Sequence, residues 1–180
     1  FILANNAKIT GQVNGNLYVL ANQVNFDGAL IRYSMFICAN NVYYANGGTY
    51  DSDVYIAANT LETTYSSYAA RDFKVLASDV TLKSAVGRDA DIICNALNLG
   101  EGSDISAIYG DLRYTSNDQI VIPGGAVQGS VTYSKQYMGN SITGILMGFG
   151  TCIVTVLALF IILNKLTPNF IQKVSDDKFS

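Results

Sequence analysis

Five carboxylates recur at one place in the repeat pattern of this chain: Asp51 and Asp53, then Asp72, then Asp89 and Asp91. Paired carboxylates can cleave a glycosidic bond, one giving a proton while the other attacks or activates water. Stacked along one corner, these acids would describe a carbohydrate-active enzyme. Arg71 and Arg88 stand beside them in the same turns, so a solvated corner with local ion pairing is the preferred reading. The chain has no histidine. That removes Ser-His and Cys-His nucleophile pairs, most zinc sites and the usual base at neutral pH. Cys38, Cys94 and Cys152 are isolated from one another and read as packing residues. No catalytic residue, metal site or cofactor is expected.

A second group could recognise rather than react. Tyr18, Phe36 and Tyr55 share one outward column and form a candidate recognition stripe for envelope polysaccharide or protein. Aromatic residues on adjacent strands also stabilise a sheet with no ligand involved. Basic and acidic residues are interspersed, and the formal net charge is −3. With no basic patch, nucleic acid is not an expected partner.

These residues are positioned by a repeat of 17 to 22 residues running to about Tyr133. Leu17-Tyr18-Val19-Leu20-Ala21-Asn22 aligns without gaps with Met35–Asn40, Val54–Asn59, Phe73–Ser78 and Ala90–Asn95. One inward column holds Leu17, Met35, Val54, Phe73 and Ala90. Val19, Ile37, Ile56, Val75 and Ile92 lie two residues on, then the small column Ala21, Ala39, Ala58, Ala77 and Cys94. A spacing of two is the strand period. Asn22, Asn40, Asn59, Ser78 and Asn95 mark a polar corner, since Asn tolerates sharp bends. A second strand points Val24, Val42, Leu61, Val80 and Leu97 inward. A looser third side has Val13, Ile31, Tyr50, Ala69, Val86, Ile108 and Val127 inward. Self-similarity at this period marks a solenoid. The expected fold is all-β: a three-sided parallel β-helix of about seven coils, a rod roughly 33 Å long at about 4.8 Å per coil.

Ile142 to Leu163 is a 22-residue stretch without charge. As a helix it would measure about 33 Å, enough for a hydrocarbon core of about 30 Å. One transmembrane α-helix is therefore expected at 142–163. Lys165, Lys173 and Lys178 follow it and only Lys135 lies close before it, which points the tail to the cytoplasm and the coils outside. Gly144 and Gly148 form a GxxxG, a candidate helix–helix contact. Phe1 falls inside a coil, so upstream sequence is expected.

The units GNLYVLANQVNF and GRDADIICNALNL, with the closing run GDLRYTSNDQIVIPGGAVQGSVTYSK, resemble the bactofilin family of polymer-forming cytoskeletal proteins. The likeness is to its membrane-attached bacterial relatives. It covers about Phe1 to Lys135. It implies a right-handed, bactofilin-like β-helix domain at 1–135 whose coils stack end to end into filaments without nucleotide. Residues 136–180 then hold the span and a cytoplasmic flank. The expected function is a non-enzymatic scaffold at the bacterial cell membrane, self-associating through its coil ends. A cell-surface binding module for polysaccharide or protein is the alternative, and a β-helix carbohydrate-active enzyme ranks behind it.

Overall fold

Side chains that alternate with period two make strands, and columns that match at each repeat let every strand pair with its counterpart one repeat on. The computed structural model describes residues 1–101 and 106–136, and in it the chain is a parallel β-solenoid of about seven turns. One sheet carries the long strands Ile2–Ile9, Leu17–Asp27, Met35–Asn46, Val54–Glu62 and Phe73–Thr81. It continues through Ala90–Ile93, Leu112–Ser116 and Val131–Lys135, with Ala96–Asn98 also on Phe73–Thr81. The register keeps each column intact. Ile2 pairs with Val19, Val19 with Ile37, Ile37 with Ile56, Ile56 with Val75, Val75 with Ile92 and Ile92 with Tyr114. A second sheet is built from two-residue strands, Gln12–Val13 through Ala107–Ile108, and Val127 extends it by one bridge.

The first two sides differ from expectation in one respect. Separate strands flanking an Asn corner were predicted, but through Leu17–Asp27 and Met35–Asn46 a single strand passes the corner. The turn is made by a slip in phase. Leu17 and Val19 are buried, then Val24 and Phe26, so inward positions switch from odd to even across Asn22. Asn22 itself has no ladder partner, while Ala21 and Gln23 do. The corner is thus an unpaired residue inside a continuous strand, which turns the sheet without interrupting it. Strand pairing breaks there at Cys94-Asn95 and again after Ser116, at Asn117-Asp118.

The predicted inward columns are the core. Met35, Val54, Phe73, Ala90, Val42, Leu61, Ile31, Val86 and Ile108 are buried. Val13 and Val127, near the two ends of the array, are only partly covered. Phe26, Tyr44 and Tyr50 form one aromatic cluster, with ring centroids 5.0 to 5.7 Å apart. Burial pushes both phenols up, Tyr44 most strongly. Corners pack as tightly as sides: a Cβ on Gly110 would sit 2.7 Å from the Arg88 carbonyl oxygen. The expected span at 142–163 lies outside the described residues. Among the described residues, no helix is long and apolar enough to cross a membrane.

The small column sets the sharpest limit on composition. Ala58 is fully buried and pairs with Ala39 on one side and Ala77 on the other. Ala58→Leu should therefore cost about 1–3 kcal/mol by overpacking. Tyr55→Thr, three residues away on the outer surface, should cost under about 1 kcal/mol. Thermal unfolding of the two variants followed by circular dichroism checks this; equal losses would contradict the inward and outward assignment.

Candidate interaction face

The acidic corner is where the sequence places its candidate enzyme chemistry. The residue just before each strand of the first sheet forms a column of its own: Asn16, Ser34, Asp53, Asp72, Asp89, Asp111 and Ser130. Its acceptors staple one coil to the next. Asn16 Oδ1 accepts from the Ser34 N–H at 3.2 Å, Asp53 Oδ1 from Asp72 at 3.3 Å, Asp89 Oδ1 from Asp111 at 3.0 Å, and Asp111 Oδ1 from Ser130 at 2.9 Å. Cations take up the remaining charge. Arg32 meets Asp51 at 2.8 Å, Arg71 meets Asp53 at 3.2 Å and Arg88 meets Asp72 at 3.3 Å. Arg113 spans Asp89 at 3.1 Å and Asp91 at 2.5 Å.

The electrostatics follow this geometry. The Asp111 N–H, and then Arg113, hold the Asp89 carboxyl below the usual carboxylate range. A general acid needs the opposite shift. The Arg113 guanidinium is held still more firmly protonated by its two carboxylates. Of the five acids, Asp53 and Asp89 staple consecutive coils, Asp51 and Asp72 are ion-paired beside them, and Asp91 stands on the strand that follows the corner, paired with Lys74 and Arg113.

The predicted stripe is a ladder of a particular kind. Tyr18 and Phe36 stack with centroids 5.0 Å apart and planes 6° from parallel, and Phe36 and Tyr55 at 4.8 Å and 1°. Stacking along the coil axis covers the ring faces with one another. Only ring edges and the tyrosine hydroxyls point outward. Sugar platforms use an open ring face, and the middle ring, Phe36, has none left. The near-zero angles also show that successive coils are barely rotated, so this side of the solenoid is flat.

Sequence reasoning missed the column beside the stripe. Leu3, Leu20, Cys38, Ala57, Leu76 and Ile93 follow one another in register, outward and apolar. The signal was present, because Cys38 aligns with Leu20 and Leu76 on the outer side of the strand. Together the two columns form a shallow, open apolar surface that runs over Tyr18, Leu20, Phe36, Cys38, Tyr55 and Leu76. Leu3 is 51% exposed, Tyr18 42% and Ile93 47%. A contiguous apolar surface of this kind marks an interaction site more often than chance exposure does.

The two cysteines among the described residues are free thiols. Cys38 is half-buried on this face and Cys94 is buried in the small column. Burial raises both, Cys94 to about 12 with help from the Asp79 charge, so neither is a thiolate at neutral pH. Gly144 and Gly148 lie outside the described residues. No family model, curated protein or solved structure matches this chain.

The staple column makes a pH prediction. Asp89 titrates below its unfolded value, so its stabilisation is complete above the ordinary aspartate pKa of about 3.9. It is lost as pH falls through the lower folded value. The melting temperature should hold steady above about pH 5 and drop below about pH 4, with a shallower drop in Arg113→Gln. Asp89→Ala should lower it more than Asp89→Asn, which keeps an acceptor for the Asp111 N–H. Melting curves across pH decide both points.

Proposed function

We propose that this chain is a non-enzymatic, membrane-anchored scaffold whose right-handed, three-sided β-helix extends by end-to-end stacking. The observation that carries the reading is the constancy of the coil-to-coil step. The same columns pair in the same register from Ile2–Ile9 to Val131–Lys135. Among the described residues, Ile2–Ile9 has a ladder partner on one side only. A strand with unpaired N–H and C=O groups is a template for another strand, and a coil of a second copy presents the matching columns. Ile2 and Ala4 at this edge are partly covered and packed against the core, so stacking would bury apolar surface as well as pair backbone.

The resemblance to bactofilins supports the same reading, since that family polymerises without nucleotide. The uncharged stretch at 142–163 supplies the anchor. The three lysines after it favour coils outside and tail inside at a bacterial cell membrane. The covered ring faces of Tyr18, Phe36 and Tyr55 weigh against a polysaccharide platform, and the stapled acids weigh against a carbohydrate-active enzyme.

Two measurements test this. A chain ending after Gln136 should form multimers as concentration rises in sedimentation velocity, without nucleotide or metal. Ile2→Lys should block assembly by placing an unpaired charge at the stacked interface, while Asp91→Asn leaves it unchanged. A chain that stays monomeric at high concentration would sink the stacking reading. For topology, Ser66 is exposed and Ser175 follows the span. In a background lacking the native cysteines, Ser66→Cys should react with an impermeant maleimide on intact cells and Ser175→Cys should not. The reverse pattern would invert the orientation.

A further inference from the structure

We propose that the apolar outer face is a two-fold interface between copies of this chain, with the two solenoids antiparallel and Phe36 and Cys38 at its centre. This contact is lateral and does not depend on the coil ends.

The argument begins with the shape of the face. Its rows advance one coil at a time: Phe1 with Leu3, Tyr18 with Leu20, Phe36 with Cys38, Tyr55 with Ala57, then Lys74 with Leu76. The stacked rings keep it flat. Five rows at about 4.8 Å, across some five strand residues at about 3.3 Å, give a planar footprint of about 400 Å² per copy, or about 800 Å² over both. Side-chain relief adds to this, which places the contact near the roughly 1,000 Å² of a small specific interface. A flat apolar sheet face is covered best by another flat face about 10 Å away, and a second copy supplies one of the same dimensions.

Charge selects the partner and the direction. Beyond Tyr55 the aromatic column becomes Lys74, Asp91 and Arg113. A parallel two-fold pair would keep equal rows together, placing Lys74, Asp91 and Arg113 of one copy in the same rows as Lys74, Asp91 and Arg113 of the other, and like charges brought together are destabilising. An antiparallel pair centred on Phe36 and Cys38 sets Tyr18 against Tyr55 and Leu3 against Leu76. Lys74 then meets the open ring of Phe1, a favourable neighbour for a cation, and Asp91 and Arg113 fall outside the overlap. A lipid surface fits less well. Peripheral binding to anionic lipid uses apolar groups rimmed by several cations, whereas residues before 142 carry 12 acidic and 8 basic side chains and this face offers Lys74 beside Asp91.

The test uses the full chain in bacterial membranes, with Cys94→Ala and Cys152→Ser leaving Cys38 as the single thiol. A short bis-maleimide should give a cross-linked dimer. Phe36→Lys should abolish that band, and Ile2→Lys, which targets end-to-end stacking, should leave it intact. Direction is read in a Cys38→Ser background with two differently tagged chains, Leu3→Cys and Leu76→Cys. The antiparallel pair gives the mixed cross-link; a Leu76→Cys homodimer would establish the parallel pair and overturn the proposal. Absence of the Cys38 cross-link in protease-resistant, folded chain would also overturn it. If Cys38 is then shielded from a water-soluble maleimide, lipid or another protein covers the face. Loss of stacking alone would leave this inference standing.

Discussion

The constraint on which everything else depends is the backbone ladder between coils. Each strand pairs in parallel with its counterpart one repeat later, so every side chain lies directly over its homologue about 4.8 Å away. A column must therefore tolerate its own stacking. Aliphatic residues do so in the core, and alanine does so where the cross-section is narrowest. Aromatic rings do so only when stacked parallel, as at Tyr18, Phe36 and Tyr55. Carboxylates cannot stack unaided. Their column survives because Asp53, Asp89 and Asp111 each accept the next coil's N–H, and each carboxylate is met by an arginine from its own coil or a neighbouring one.

Proximity of acids suggests catalysis only when their environments push their pKa values apart, one up and one down. Here the resolved shift at Asp89 is downward, caused by a backbone donor and then by Arg113. The same hydrogen bonds that depress it join consecutive coils. Exposed ion pairs contribute little singly. Their value in this position is to let an acidic column exist in a ladder that would otherwise force like charges together.

Most of the fold was legible in the sequence because a solenoid writes its tertiary contacts as a period. Matching Val19 to Ile37 in the alignment is already the statement that they pair, and the inward columns could be read from spacing alone. The corners were less legible. Asn22 and Asn40 were read as breaks because Asn favours bends, yet the strand passes through them by an odd-to-even slip. Propensity gives the bend but not the pairing on either side. The outer face was only half legible. The aromatic column declared itself by residue type, while Leu20, Cys38, Ala57 and Leu76 are chemically mixed and became one surface only when register placed them side by side. Ring orientation was not legible at all, since a column of Tyr and Phe is compatible with open or covered faces.

The ladder also explains why an apolar outer face is a liability that must be answered. Alternation puts every second residue outside, and polar residues there keep a β-solenoid soluble. On the other long-strand side the chain follows this rule: Asn25, Tyr43 and Glu62 succeed one another in register. On the first side it departs from the rule at both outward positions, and over consecutive coils rather than once. Scattered exposed residues need no explanation, but a contiguous flat patch does. Where the apolar column ends, it gives way at once to Lys74, Asp91 and Arg113, which pair among themselves. An apolar block bounded by a charged block in the same column is directional, because it distinguishes one end of the face from the other. A surface that is flat, apolar and directional can select both a partner and an orientation, which neither a uniformly polar nor a uniformly apolar solenoid could do.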